Sequence, residues 1–189
     1  HFEPSLSKIT QIGYMQRCYY ELYDNRELAS SLQWTMGFEG YINNLLGVYS
    51  NLTNGYVSFA QYSNQDLFIK NQTYAPISDS ESKPVKNDCD LERNILITGP
   101  NAAGKTTYLK TTLLNVLFSQ QIGCGYYESC RLCPYQRIHT YLNIPDTSER
   151  DSLFQAESRR CKNILDSVVN YQKDRQLCVF DELYSGTNP

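Results

Sequence analysis

Apolar residues recur every three or four positions through the start of this chain. Phe2, Leu6, Ile9, Ile12, Met15, Tyr19 and Leu22 fall on one face of a helix at that spacing. A break is expected around Gly37 to Gly40, after which Tyr41, Ile42, Leu45, Leu46 and Tyr49 continue the pattern in a second helical stretch. Such stripes are packing surfaces. From Asn54-Gly55 onward the period shortens, and Tyr56 to Tyr62 and Leu67 to Lys70 become strand candidates rich in aromatic and branched residues. Residues 71–90 hold Pro76, Pro84 and a polar mixture, which predicts mainly loop. The remainder reads as strands alternating with helices: Ile95-Leu96-Ile97, a helix from Lys105 to near Gln121, a strand from Arg137 to Tyr141, a helix from Asp151 to near Asn170, and a strand from Leu177 to Phe180. That alternation predicts an α/β fold with a mainly parallel sheet flanked by helices, preceded by an α-helical appendage. The division falls near residues 1–52 and 53–189.

Composition narrows the class only slightly. Hydrophobic residues make up 41% and charged residues 20% of the 189, the balance of a globular protein. A net charge of −3 gives no sign of a nucleic-acid-binding surface, so DNA contact would come from a local patch or from sequence outside this chain. No apolar run approaches the roughly 18 residues of a membrane-spanning helix. Seven scattered cysteines suggest reduced thiols and an intracellular setting, nucleus or cytoplasm. The sequence opens at His1 without a Met and ends at Pro189 in mid-motif, so it reads as a piece of a longer protein.

Two stretches carry chemistry. Gly99-Pro100-Asn101-Ala102-Ala103-Gly104-Lys105-Thr106 fits G-x-x-x-x-G-K-[ST] at every fixed position, and Thr107 follows it into the predicted helix. The glycines let consecutive N–H groups turn inward toward phosphate oxygens, and the helix start adds its positive dipole end. Lys105 would reach the β- and γ-phosphates of ATP, and the Thr106 hydroxyl would ligate Mg²⁺. This loop assigns the α/β fold to the P-loop NTPases. The second stretch is Leu177-Cys178-Val179-Phe180-Asp181-Glu182, an apolar run that ends in two carboxylates. A buried parallel strand delivers such acids to the sheet edge, where ligands bind in open α/β folds. Asp181 would then hold the Mg²⁺ shell, and Glu182 would orient and deprotonate the attacking water.

With those residues in place, the sequence resembles the ATPase domain of the MutS family of DNA mismatch-repair proteins. Ile97 to Leu109 looks like the family's TGPN–GGK[ST]TYL loop, and Arg137-Ile138-His139-Thr140 is similar to its R-I-[FH]-T strand. Ser152-Leu153-Phe154-Gln155-Ala156-Glu157, followed by Asn163-Ile164-Leu165, resembles S-T-F-x-x-E…I-L, and Asp181 to Thr187 resembles D-E-[IL]-x-x-G-T. Order and approximate spacing agree from about residue 95 to 189. The family's domain is related to ABC ATPases and works as a dimer. The resemblance therefore implies a homo- or heterodimer in which Ser152 contacts the γ-phosphate bound by the partner subunit. It also implies that Asn101 sits beside the γ-phosphate and the attacking water. The helices before residue 50 would end a lever leading to DNA-clamping domains, with double-stranded DNA held mostly outside this chain. Closure on ATP and reset on hydrolysis would follow.

The sequence departs from the family at Ala103, where glycine is usual, and at Tyr141, where arginine is usual. It ends before the switch histidine and the dimerisation helices. Mismatch repair and DNA recombination both stand as roles. The rivals are an ABC- or SMC-type ATPase of another role and a nucleotide-switched scaffold that does not turn ATP over. Cys124, Cys130, Cys133 and His139 have the ligand types of a zinc site, though ordinary core or surface cysteines explain them better.

Overall fold

A computed structural model describes residues 7–75, 84–142 and 153–184. The chain divides into two compact units, His1–Thr53 and Asn54–Pro189, each described by itself.

The first unit holds two helices, α1 (Ser7–Asp24) and α2 (Arg26–Thr53). The break between them is at Asn25, not at Gly37 to Gly40. Asn25 starts α2 as its cap: its side-chain oxygen accepts the Glu27 and Leu28 N–H groups at 3.0 and 3.2 Å. An internal glycine disfavours a helix by about 1 kcal/mol relative to alanine, too little for two of them to stop a 28-residue helix with a capped start. α2 buries none of its residues, and Trp34 stacks on Phe38 at 5.5 Å along its surface. Among the described residues no helix is long and apolar enough to cross a membrane.

The second unit contains β1 (Ser58–Tyr62), β2 (Phe68–Gln72), β3 (Asn87–Asp90), α3 (Lys105–Ile122), β4 (Cys124–Gly125), β5 (Ser129–Leu132), β6 (Arg137–Tyr141), α4 (Leu153–Asn170) and β7 (Gln176–Phe180). The mainly parallel sheet of a P-loop NTPase is not what these strands form. One five-stranded sheet runs in the order β3-β2-β5-β1-β4, and β6 and β7 make a separate two-stranded ribbon. In the larger sheet only β1 and β5 are parallel; β2 with β3, β2 with β5 and β1 with β4 are antiparallel. The reason lies in the connections. A parallel pair needs a crossover, which α3 supplies between β1 and β5 and α4 supplies between β6 and β7. β4 and β5 are joined by only Tyr126 to Glu128, too short for a crossover, and the chain doubles back.

Ile95-Leu96-Ile97 is a second correction. It forms no strand, and Leu96 is 89% exposed. Three apolar residues make a strand only beside a ladder partner, and among the described residues none pairs with them. β3 lies within residues expected to be loop, where Ile69 of β2 pairs with Cys89.

α3 rests on the larger sheet through a mixture of contacts. Val116 joins Ile69, Cys89, Tyr127, Cys130 and Leu132 in the core. Beside it runs a buried polar row, Thr111, Thr112, Asn115 and Ser119. Gln72 Nε2 donates to Thr112 Oγ1 at 2.8 Å, the Tyr126 N–H donates to Asn115 Oδ1 at 2.8 Å, and Ser119 Oγ meets the Tyr127 hydroxyl at 2.8 Å. The Tyr62 hydroxyl donates to the Ser119 carbonyl. Gly123, left-handed at φ 76°, closes the helix through its N–H to the Ser119 carbonyl.

Candidate functional site

The glycine-rich loop runs from Gly99 to Gly104 without regular structure, and all six residues are exposed. Its turn requires left-handed backbone at Ala102 (φ 62°) and Gly104 (φ 87°). Gly104 adopts that conformation without penalty, whereas Ala102 carries the strain of a Cβ there. The Ala103 N–H reaches back to the Pro100 carbonyl at 3.3 Å and narrows the turn. Gly104 then opens α3 with no side chain capping its N–H groups. An 18-residue helix whose first amides have no side-chain cap presents donors and a positive dipole end to an anion.

Lys105 bends back over the loop. Its Nζ donates to the Gly99 and Pro100 carbonyls, both at 2.9 Å. The ammonium is therefore stationed at the loop with partners it can exchange for phosphate oxygens. Thr106 points the other way. Its hydroxyl donates to Asp181 Oδ2 at 2.6 Å, a half-buried contact between residues 75 positions apart. Thr107 is exposed, and its carbonyl accepts the Thr111 hydroxyl at 2.7 Å. Asn101 is exposed on the loop.

The acids arrive from the two-stranded ribbon. β6 and β7 pair in register from Arg137 opposite Gln176 to Tyr141 opposite Phe180. One further rung, the Asp181 N–H to the Tyr141 carbonyl at 3.0 Å, fixes Asp181 at the end of the ribbon. Glu182 follows with φ 43°, and Tyr184 with φ 58°. Glu182 is exposed, and Asp181 is half-buried against Thr106. The Tyr184 N–H donates to the Tyr141 phenol oxygen at 3.2 Å, and the Tyr184 ring lies 5.7 Å from Phe154 of α4. Arg160 of α4 ties that helix to β6, donating to the Thr140 carbonyl at 2.9 Å.

The chain thus brings the loop, the first turn of α3 and the two acids to one place. A hydroxyl and a carboxylate at 2.6 Å are hard oxygen donors, the kind that suit Mg²⁺. Ser152, Gly186 and Thr187 lie outside the described residues. The cysteines give no metal centre: among the described residues no group of three or more Cys, His, Asp or Glu side chains could hold an ion. Cys130 and Cys124 are buried in the sheet, and burial pushes the Cys130 thiol up to about 11. His139 instead meets the Gln176 side chain at 3.2 Å across the ribbon. Tyr141 is the residue that motif matching passes over, because its part in the site comes from contacts with residues 40 or more positions away.

Comparison with known proteins covers the same stretch. Residues 95–189 match the family described as MutS domain V. The chain is similar to a DNA mismatch repair protein MutS of Listeria monocytogenes serotype 4a (strain HCC23), 37% identical over 108 residues, 54% of this chain and 12% of that protein. It is similar to a DNA mismatch repair protein MutS of Dehalococcoides mccartyi (strain ATCC BAA-2266 / KCTC 15142 / 195), 31% identical over 145 residues, 71% of this chain and 16% of that protein. Endonuclease MutS2 of Shouchella clausii (strain KSM-K16) is 35% identical over 101 residues, 53% of this chain and 12% of its own length. The matched part therefore spans less than a fifth of each of these relatives.

Proposed function

The chain belongs to the MutS domain V family, and from that membership we propose that it binds and hydrolyses ATP within a MutS-like DNA mismatch-repair or DNA-recombination protein. The observation that carries this reading is the 2.6 Å contact between Thr106 and Asp181. It joins the end of a phosphate-binding loop to the end of an acid-bearing strand, and a nucleotide-hydrolysing site needs both.

In the proposed reaction the N–H groups of residues 101–107, at the loop and the uncapped start of α3, surround the phosphates. Lys105 exchanges the Gly99 and Pro100 carbonyls for β- and γ-phosphate oxygens. Thr106 and Asp181 would hold Mg²⁺, which when bound would neutralise charge on the phosphates. Asn101, exposed on the loop, orients the γ-phosphate and the water. Glu182 accepts a proton from that water as its oxygen bonds to the γ-phosphorus. The bond from the γ-phosphorus to the β–γ bridging oxygen breaks, releasing ADP and inorganic phosphate. Ser152 reaches the γ-phosphate of a second subunit, so that ATP closes a homo- or heterodimer on double-stranded DNA.

The test is Mg²⁺-ATP hydrolysis by the full-length protein, with no DNA and with homoduplex, mismatched and branched DNA, alongside Glu182→Gln. A positioned general base contributes roughly 10²–10⁴-fold, so the variant is expected to lose at least about 10²-fold in turnover while retaining ATP binding. Turnover that ignores DNA would favour an ABC-type ATPase of another role. Tight ATP binding with no turnover would favour a nucleotide-switched scaffold.

A further inference from the structure

The turn that carries Glu182 is gripped on both sides by one residue. Tyr141 ends β6, lies opposite Phe180 of β7, and is 2% exposed. Its carbonyl accepts the Asp181 N–H at 3.0 Å, one residue before Glu182. Its phenol oxygen accepts the Tyr184 N–H at 3.2 Å, two residues after. The ring between these two acceptors is packed against Phe180, with centroids 5.9 Å apart, so the hydroxyl is delivered from a fixed base.

The grip matters because the turn is not one the chain takes up readily. Glu182 at φ 43° and Tyr184 at φ 58° are both left-handed, a conformation that crowds the Cβ of an L-residue against its own carbonyl. Two such residues within three positions persist only where the surroundings hold them. Among the described residues the ties include the two from Tyr141, the Thr106–Asp181 bond, the Phe154–Tyr184 ring contact and the bonds of the Tyr184 hydroxyl to Cys161 and Ser158 of α4. The Tyr141 hydroxyl is the tie that bonds directly to a backbone group downstream of Glu182, the Tyr184 N–H.

We infer that Tyr141 is a positioning residue for hydrolysis: its buried hydroxyl holds the left-handed turn in which the Glu182 carboxylate is presented to the attacking water. The inference rests on the reading of Glu182 given above.

Tyr141→Phe in the full-length protein removes the hydroxyl and leaves the ring and carbonyl. Steady-state ATP hydrolysis and amide hydrogen exchange over residues 181–184 are measured beside the parent protein and Glu182→Gln. The expected result is a kcat about tenfold lower with KM for ATP within about twofold, as when a base loses alignment and binding does not. Exchange at Tyr184 should rise while the melting temperature holds. An unchanged kcat overturns the inference. So does a parallel loss of kcat, KM and melting temperature, which marks Tyr141 as merely structural. A parent protein whose turnover is absent, or insensitive to Glu182→Gln, overturns the reading of Glu182 and this inference with it. Normal parent behaviour with an unaffected Tyr141→Phe overturns the inference alone.

Discussion

Replacing Thr106 with valine tests the contact on which the site is built. Valine keeps the β-branched shape and nearly the volume of threonine, so the perturbation is the loss of one hydroxyl. That hydroxyl donates to Asp181 Oδ2 at 2.6 Å, a half-buried, charge-assisted bond. Bonds to charged groups contribute about 1.5–3 kcal/mol, and an acceptor that keeps some access to water lies at the low end. A loss of about 1.5 kcal/mol corresponds to roughly tenfold in local opening, since 1.4 kcal/mol is a factor of ten. The assay is hydrogen exchange with mass spectrometry on peptides covering Lys105–Ile122 and residues 176–184, which reads the opening of α3 and of β7 with the acids that follow it separately from the rest of the chain. Thr106→Val should accelerate exchange roughly tenfold at both ends of the bond, and Thr106→Ser, which retains the oxygen, should change it less than about twofold. A cycle with Asp181→Ala should return a coupling of about 1–2 kcal/mol, because each change removes the same contact. Additivity of the two within about 0.5 kcal/mol would refute the reasoning. The loop and the acids would then be neighbours without being joined.

Two further outcomes follow from the packing under the site. In Gly125→Ala the new Cβ would lie 2.5 Å from Tyr127 Cε1 and 3.0 Å from Asn115 Oδ1, both held by their own hydrogen bonds. Overpacking of this kind destabilises by about 1–3 kcal/mol, so the melting temperature should fall, and an unchanged one would show that Tyr127 gives way freely. Cys130 should resist iodoacetamide at pH 8 in the native protein and react once the chain is unfolded in urea; native labelling as fast as that of an exposed thiol would contradict its burial. Because its folded pKa is raised, to about 11, its contribution to stability is present below the ordinary thiol range and is lost as pH climbs through about 11.

What was legible in the sequence follows from where each signal is local. Gly104 and Lys105 mark the first turn of α3, where the glycine is left-handed, and β7 stands out as a short apolar run. Strand partners were not legible. Asn87-Asp88-Cys89-Asp90 looks like loop, and becomes β3 because β2 offers it an edge with Ile69 opposite Cys89. Ile95-Leu96-Ile97 looks like a strand, and fails to become one for want of such an edge. The parallel sheet failed for the same reason: its prediction assumed a crossover between every pair of strands. Nor did hydrophobic spacing show how α3 is seated, since four of its six buried residues are the polar row Thr111, Thr112, Asn115 and Ser119.

That seating changes where the site draws its rigidity. In the expected fold, the loop and the acids would be ends of neighbouring strands in one sheet, and the sheet would hold them in register. Here the acids end a two-stranded ribbon and the loop precedes a helix that rests on a different, mixed sheet. The bond between Thr106 and Asp181 bridges two structures with no shared ladder. The core of the larger sheet does reach Ile138 and Leu177, which pack against the Ile69–Val116 cluster, so the ribbon is held at its middle by side chains rather than by backbone. Side-chain packing tolerates small displacements that a hydrogen-bonded ladder does not. The acid end of the ribbon therefore depends on local ties, Thr106 to Asp181 and Tyr141 to the residues on either side of Glu182. Each tie ends on a hydroxyl or carbonyl whose own anchorage, in α3 and in β6, lies in a different part of the unit. Loss of either should loosen the acids without unfolding the sheet, which is how damage to the chemistry and damage to the fold can be told apart.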